Sequence, residues 1–284
     1  MKIRPAALTA LLLCACTACS APKTTGSADV LGQTGSGPVP KAAMPRPWAD
    51  AQKVINATAA DIQKSSFQGI ASHVQELEAV LAAAQSAYDA PSPPGGPVYR
   101  LVDGSGESLE ALLATTITKP QGAGGKVVAV QSPYVVASFL LSTYYNEVRR
   151  PVDALRVLDA GLALPNVDPD LGAGSHRPKL LAERGAAFVL MKRWPDALAS
   201  YDKGLALTGV DPHDRGQLLR GRGFALTELG RLDEAEKSYR DSLAADPGNK
   251  LALQELDYIA KLRAGGARSS VELLAPNAPK PAAH

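Results

Sequence analysis

The chain has 284 residues, of which 45% are hydrophobic, and it contains only 4 histidines and 3 cysteines. This length accommodates one helical solenoid or two small domains. The 30 basic and 28 acidic residues nearly cancel, so the overall charge gives no reason to expect nucleic acid or an acidic membrane surface as a ligand.

Residues 1–15 have the composition of an export signal. Lys2 and Arg4 form a charged start, residues 6–13 are a short apolar run, and small residues and cysteines follow. About eight apolar residues are too few to span a bilayer. The pattern Leu12-Leu13-Cys14-Ala15-Cys16 resembles the bacterial lipobox, in which a cysteine after a small residue is acylated and becomes the N-terminus of the mature protein.

The lipobox resemblance implies that Cys16 is acylated and that residues 1–15 are a lipoprotein signal peptide. Cys19 is the alternative, although Cys16 stands where the lipobox has an aliphatic residue, and an ordinary secretory peptide cleaved near Ala18 or Ala21 is a further interpretation. In the lipobox family a residue other than Asp after the acylated cysteine favours the outer membrane, and Thr17 meets that condition. We therefore expect an outer-membrane lipid anchor, with the protein facing the periplasm. The folded part is expected to have no disulfide framework or thiol chemistry, because all cysteines lie in or beside the leader.

Residues 16–46 are rich in Pro, Gly, Ser, Thr and Ala and have few large apolar side chains, which predicts a disordered tether. A coil of roughly 27 residues spans on the order of 30 Å, so the folded part can stand off the membrane. Residues 47–90 carry two apolar stripes at helical spacing, separated near Ser65-Ser66 and Gly69. We expect an atypical N-terminal helical hairpin there, covering one end of the domain that follows.

Residues 91–133 differ from their surroundings because they contain short strand patterns. Strands are predicted at 98–102 and 127–130, with a short helix at 108–114 between them. The glycine-rich run 121–126 favours a mobile loop as an alternative. We expect a small strand-containing insert packed beside the helices, and such a long insert is a natural place for a function of its own.

Residues 134–263 contain landmarks that recur at constant offsets. The frame Gly-Leu-Ala-Leu-x-x-Val-Asp-Pro occurs at 161–169 and again at 204–212, 43 residues later. An offset of 38 links three further pairs: Gly185 and Gly223, Ala197 and Ala235, and Tyr201 and Tyr239. Because several separate landmarks share each offset, we predict three copies of a helical hairpin, at 135–168, 178–211 and 216–249, followed by a terminal helix at 250–263.

The copy at 216–249 resembles the tetratricopeptide repeat (TPR), a 34-residue unit of two helices. That pattern needs a small residue in the first helix, Gly-x-x-x-Glu-Ala through the turn, an aromatic residue in the second helix and a closing proline. The residues that meet these demands are Gly223, Gly230, Glu234-Ala235, Tyr239 and Pro247. The resemblance implies an all-α, TPR-like helical solenoid of about three repeats plus a capping helix, in which each hairpin buries its apolar face against its neighbours.

The corners between the copies carry Asp-Pro pairs. Asp211-Pro212 and Asp246-Pro247 are each expected to begin a helix, with Asp as N-cap and Pro at the first helical position. After the last predicted helix, residues 264–284 are rich in Gly, Ala, Pro and Ser. We predict a disordered tail there, with a possible docking segment at 271–274.

The sequence contains no convincing catalytic or metal-binding pattern. The four histidines lie in unrelated segments, without carboxylates or cysteines at metal-ligand spacing. Ser200-Tyr-Asp-Lys203 matches the Ser-x-x-Lys pattern of penicillin-binding enzymes, but Tyr201 already has a packing role in the second repeat. We expect a non-catalytic protein that needs no cofactor or metal. The alternative is a cell-envelope enzyme or cell-wall-binding module whose activity lies in the insert 91–133.

The TPR resemblance implies a peptide-binding groove lined by the first helix of each repeat. The second, fifth, ninth and twelfth positions are Val136, Phe139, Thr143 and Asn146; Lys179, Ala182, Ala186 and Val189; and Gln217, Arg220, Phe224 and Thr227. Ala182 and Ala186 stand where some TPR proteins hold a C-terminal carboxylate, so that mode is not expected. The candidate groove residues are Phe139, Thr143, Asn146, Lys179, Gln217, Arg220, Phe224 and Thr227.

The expected function is that of a periplasmic TPR scaffold or adaptor, an outer-membrane lipoprotein that holds a protein or peptide partner in an envelope process. Mixed apolar and amide-bearing side chains suit an extended or helical peptide. Contact with the membrane is expected only through the N-terminal lipid anchor, and none with nucleic acid.

Overall fold

The computed structural model describes residues 44–88, 90–92, 98–104, 127–165, 170 and 172–268. The predictions for the leader with Cys16 and Cys19, for most of the tether, for the helix at 108–114, for the loop at 121–126 and for the segment 271–274 lie outside these residues.

The described residues form ten helices and two short strands. The N-terminal part consists of α1 (Arg46–Ser65), α2 (Phe67–Ala71) and α3 (Val74–Ala87), and the strands are β1 (Val98–Val102) and β2 (Val127–Gln131). Three hairpins follow: α4 (Pro133–Glu147) with α5 (Pro151–Ala163), α6 (Arg177–Leu190) with α7 (Trp194–Leu205), and α8 (Pro212–Glu228) with α9 (Leu232–Leu243). The last described helix is α10 (Lys250–Arg263). The predicted TPR-like solenoid with a capping helix, an N-terminal hairpin and a strand-containing insert is confirmed.

The turn inside each hairpin is the same in all three copies. The second residue after each first helix has a left-handed backbone, with φ of 58° at Arg149, 57° at Lys192 and 78° at Gly230. The next residue donates its backbone N–H to a carbonyl of that helix, over 2.7 Å from Arg150 to Tyr145, 2.9 Å from Arg193 to Phe188 and 2.9 Å from Arg231 to Leu226. Such a bond closes a helix C-terminus. The turns are 43 and 38 residues apart, which are the offsets found in the sequence.

An arginine and an acid fasten each turn to its second helix. The pairs are Arg150–Asp153 at 2.8 Å, Arg193–Asp196 at 2.8 Å and Arg231–Glu234 at 2.7 Å. Each acid lies in the first turn of the second helix, where it also interacts favourably with the helix dipole. Because these pairs are largely exposed, each contributes only about 0–1 kcal/mol to the free energy of unfolding.

Tyr201 packs between the second and third hairpins. It projects from α7 and is fully buried. A Cβ atom on Gly185 of α6 would lie 2.4 Å from its ring, and one on Gly221 of α8 would also lie 2.4 Å from it. No side chain fits at these distances, so glycine at both positions makes room for the ring.

The other hairpins solve the same packing problem with related residues. Tyr239 of α9 packs against Gly223 of α8, where a Cβ atom would lie 2.8 Å from the ring. In the first hairpin the positions equivalent to Gly185 and Tyr201 are Ser142 and Leu158, both fully buried. The shorter leucine leaves space that a serine can fill. The repeated alanines are also fully buried in every copy: Ala154, Ala197 and Ala235.

A second repeated arginine joins neighbouring hairpins. Arg184 of α6 donates to Asp159 of α5 at 3.1 Å and to Ser200 of α7 at 3.3 Å. Arg222 of α8 donates to Asp202 of α7 at 2.7 Å and to Ser238 of α9 at 2.6 Å. Each arginine therefore bridges the previous hairpin and the second helix of its own, which keeps the stacking uniform.

The N-terminal helices pack on the first hairpin. Trp48 Nε1 donates to the carbonyl of Ala87 at 2.6 Å, which joins the start of α1 to the end of α3. Glu78 of α3 accepts from the hydroxyl of Tyr145 in α4 at 2.6 Å and from Arg156 in α5 at 2.5 Å. One carboxylate thus ties α3 to both helices of the first hairpin.

The insert contributes a two-stranded parallel sheet. β1 pairs with β2 in register from Val98 with Val127 to Val102 with Gln131. The backbone N–H of Ser132 continues the ladder by donating to the carbonyl of Val102 at 2.8 Å, and α4 begins one residue later. The sheet therefore lies at the N-terminal end of the first hairpin.

One of the two helix starts predicted at Asp-Pro pairs is confirmed and the other is wrong. α8 begins at Pro212, and Asp211 caps it by accepting from the N–H of His213 at 2.8 Å, so the helix starts four residues before the repeat frame at Gly216. The start predicted at Asp246-Pro247 is wrong. Asp246 does not cap α10. Asn249 does so, its side chain accepting from the N–H of Ala252 at 3.1 Å, while Asp246 accepts from the Asn249 amide.

α10 closes the described part of the solenoid. Arg263 pairs with Asp233 at 2.5 Å and with Glu236, both on α9. The chain then turns back, and Arg268 donates to the carbonyl of Glu228 at the end of α8, over 3.2 Å. None of the described helices combines the length and apolar character needed to cross a membrane.

Candidate functional site: the face formed by the first helices

The first helices of the three hairpins, α4, α6 and α8, lie side by side, and the candidate groove residues belong to them. We call these eight residues the first-helix face: Phe139, Thr143, Asn146, Lys179, Gln217, Arg220, Phe224 and Thr227. The stacked hairpins thus bring together side chains that are up to 88 residues apart in sequence.

Most of the first-helix face is buried in the isolated chain. Seven of its eight residues, all except Lys179, are at most 6% exposed. Lys179 keeps 26% of its side chain accessible. The chain itself therefore shields most of this face, which sequence positions alone do not reveal.

Several of these side chains already bind other parts of the chain. Asn146 Nδ2 donates to Glu183 Oε2 at 2.8 Å and to the Glu183 carbonyl at 3.0 Å, joining α4 to α6. The ring of Phe224 meets Trp194 of α7 edge-on at 6.1 Å between centroids. Thr227 Oγ1 donates to the carbonyl of Gly223 at 2.9 Å. Asn146 and Phe224 therefore hold helices together in the isolated chain, whereas the Thr227 bond lies within α8.

Lys179 connects the accessible part of the face to α8. Its ammonium group lies 3.5 Å from Asp214 Oδ2, and Asp214 is itself buried. Val136 of α4, a predicted groove position outside these eight, is also partly accessible. The accessible side chains at the predicted groove positions are therefore one cation and one apolar residue.

A second polar cluster, which sequence reasoning missed, lies where β1 meets the start of α6. Asp103 follows β1 and is only 3% exposed. Its Oδ2 accepts from Ser175 Oγ at 2.8 Å, and its Oδ1 accepts from the backbone N–H of His176 at 2.9 Å. The ring Nδ1 of His176 lies 3.3 Å from the same oxygen. The carboxylate thus occupies the positive end of the α6 helix dipole.

The Asp103 cluster contains Asp, His and Ser but does not have the geometry of a nucleophilic triad. A triad needs the serine hydroxyl bound to the histidine, with the acid on the other side of the ring. Here Ser175 Oγ donates to Asp103 and accepts from the N–H of Arg177 at 3.0 Å. The cluster therefore anchors the insert to the second hairpin.

Burial acts to raise the pKa of Asp103, but hydrogen bonds from His176 and Ser175 and the charge of His176 outweigh it. Its pKa consequently lies below the ordinary value. The only sequence signal for this cluster is an Asp directly after a predicted strand. Its partners are 72 and 73 residues away.

Within the described residues, no group of three or more His, Cys, Asp or Glu side chains is arranged to hold a metal ion. His73 illustrates how the described histidines are used. It lies 3.0 Å from Asp61 and 2.7 Å from Glu76, and these two hydrogen bonds raise its pKa. The residue connects α1 to the start of α3.

No protein-family model matches the sequence, and no curated protein matches it. Among solved structures, the NMR structure of the first TPR domain of the human RPAP3 protein is similar over 46% of this chain and 93% of that one, with 23% identity and a TM-score of 0.39. The NMR structure of the second TPR domain of human RPAP3, in complex with the HSP70 peptide SGPTIEEVD, is similar over 45% of this chain and 95% of that one, with 24% identity and a TM-score of 0.37. The TPR-like character of this chain rests on its own repeated turns and packing.

Proposed function

We propose that the protein is a non-catalytic scaffold that holds a protein or peptide partner on the first-helix face. The supporting observation is that three copies of one hairpin, fastened by the same arginine bridges, place α4, α6 and α8 in one continuous layer. A rigid layer built from repeats is suited to binding an extended partner at several points. Lys179 provides the accessible contact, and Phe139 and Phe224 provide apolar anchors.

The partner has to replace contacts that the chain now makes with itself, because Phe139, Arg220 and Phe224 are buried in the isolated protein. Binding is therefore expected to involve local rearrangement of the first-helix face. We therefore expect a partner whose apolar side chains contact Phe139 and Phe224 and whose acidic group binds Lys179.

Photo-crosslinking tests this proposal. A crosslinking residue placed at 179 should capture the partner, whereas one at the exposed position 203, on the second helix α7, should not. The variants Arg220→Ala and Phe224→Ala should reduce capture at 179 at least tenfold, with helix content unchanged by circular dichroism. If capture survives both variants but is lost on deleting residues 105–126, the insert carries the function instead, as in the alternative of an envelope enzyme or cell-wall-binding module.

We also propose that the scaffold is anchored in the outer membrane through Cys16 and faces the periplasm. The support is the charged start, short apolar run and cysteine cluster of the leader. With Cys16→Ser, metabolic labelling with a fatty acid should show no incorporation, and the chain should appear as a precursor or in the soluble fraction. Cys19→Ser is the matched control and should remain acylated. Normal labelling of the Cys16 variant would indicate that Cys19 is the acylated residue instead.

A further inference from the structure

Glu183 of α6 is a buried carboxyl group in the joint between the first and second hairpins. The residue is 2% exposed, and Asn146 of α4, which faces it, is 1% exposed. Asn146 Nδ2 donates to Glu183 Oε2 at 2.8 Å. This is a direct polar contact between two first helices at a place that solvent does not reach.

The other half of the Asn146 amide has no partner. Within the described part of the chain, Asn146 Oδ1 is buried and receives no hydrogen bond. An ionised carboxylate only accepts hydrogen bonds, so it cannot satisfy this oxygen, whereas a protonated carboxyl group can donate to it. A buried acceptor left without a donor destabilises the folded state, because it has lost its bonds to water and gained none in return. The contact is therefore complete only when Glu183 carries a proton.

The charges around Glu183 do not compensate a negative charge. Glu147, on α4, adds negative charge, and α7 contributes the neutral hydroxyl of Tyr201. Three basic side chains of α6 and α8 pair with acids other than Glu183. Lys179 pairs with Asp214, Arg184 with Asp159 of α5, and Arg222 with Asp202 of α7. A buried carboxylate without a cation is costly, which favours the neutral acid.

We propose that Glu183 and Asn146 form a proton-dependent joint between the first two hairpins. In the closed joint the neutral carboxyl group donates to Asn146 Oδ1 while Asn146 Nδ2 donates back to the carboxyl group. When the proton leaves to solvent, the first of these bonds is lost and an uncompensated charge remains in the joint. Because Asn146 belongs to the first-helix face, the joint sets how α4 and α6 are held beside each other there.

The acidity of the group is consistent with this geometry. Burial raises the pKa of Glu183 to about 7 from an ordinary value of 4.5. Asn146 and the Thr143 hydroxyl of α4 act in the opposite direction, and the charge of Glu147 adds a further increase. Between pH 4.5 and about pH 7, Glu183 carries a proton in the folded chain that it has released in the unfolded chain. Stability therefore falls as pH rises through this range, by about tenfold in the folding equilibrium constant per pH unit, and levels off above it.

Denaturant unfolding of the full chain tests the joint across pH 5–9. Relative to Glu183→Gln, which is neutral at every pH, the wild type should lose on the order of a hundredfold in its folding equilibrium constant between pH 5 and 7. The variant should be the more stable protein at pH 8. Glu147→Gln is the matched control and should keep most of the pH dependence, because burial and not Glu147 is the main cause of the raised pKa. Parallel curves for the wild type and Glu183→Gln would overturn the proposal.

A second measurement does not depend on folding of the variant. Infrared spectra of the wild-type chain should contain the carbonyl band of a protonated carboxyl group at pH 6, and this band should disappear by pH 8. Selective isotope labelling of glutamate should shift the band. Absence of a protonated glutamate at pH 6 would equally overturn the joint.

Discussion

Replacing Tyr201 with alanine should lower the free energy of unfolding by about 3–5 kcal/mol. The ring is fully buried and fills the space between Gly185 of α6 and Gly221 of α8. Neither glycine has a side chain that can move into the gap, so the cavity would persist and both hairpins would lose contacts. Urea titration followed by circular dichroism measures the loss.

Tyr201→Phe is the matched control for this prediction. Within the described residues the Tyr201 hydroxyl is buried without a hydrogen-bond partner, so removing it should leave stability unchanged or raise it slightly. Gly185→Ala should instead destabilise by about 1–3 kcal/mol through overpacking against the ring. Combining it with Tyr201→Leu, to resemble the Ser142 and Leu158 pair of the first hairpin, should relieve that overpacking. An alanine at 201 that unfolds like the wild type would refute this account of the packing.

Asp103→Ala should destabilise the chain by about 2–4 kcal/mol, because it leaves several buried donors without an acceptor. The Ser175 hydroxyl and the backbone N–H of His176 both donate to this carboxylate. Asp103→Asn is the control that keeps one acceptor oxygen, so its free energy of unfolding should fall by less. In hydrogen-exchange measurements on Asp103→Ala, the amide groups of β1 and of the first turn of α6 should lose the most protection. Uniform loss of protection over all hairpins would contradict a local anchor.

The same carboxylate gives this prediction a pH dependence. Since the pKa of Asp103 is lowered in the folded chain, its contribution is fully present above its ordinary pKa of about 4. This contribution to stability is lost as the pH falls from about 4 through the lowered pKa of Asp103 in the folded chain. The wild type and Asp103→Asn should therefore become more alike in stability below pH 4. A difference that stays constant down to pH 2 would show that the charge plays no part.

The repeat architecture was predictable from the sequence because its landmarks are local. Gly185 with Tyr201 and Gly223 with Tyr239 lie 16 residues apart in each copy, within one hairpin. Helical periodicity and a constant offset identify such pairs without knowledge of the tertiary structure. The Asp-Pro signal gave the start of α8 correctly at Asp211-Pro212 but failed at Asp246-Pro247, because Asn249 caps α10 instead.

The candidate face was only partly predictable. The TPR pattern identifies which positions of α4, α6 and α8 share a side of the solenoid, but it does not show how exposed they are. Asn146 was expected to line the peptide-binding groove, and in the isolated chain it donates to Glu183. Exposure depends on every segment that packs nearby, and a repeat pattern contains no information about those segments.

The sequence by itself determined the unit: two helices joined by a turn, with small residues opposite large ones, in three copies. These features depend on neighbours along the chain, which is why spacing reveals them. Only the tertiary structure decided the contacts between distant segments, such as Asp103 with Ser175 and Glu183 with Asn146. Their energies arise when burial removes water from polar groups, and burial is a property of the assembled fold.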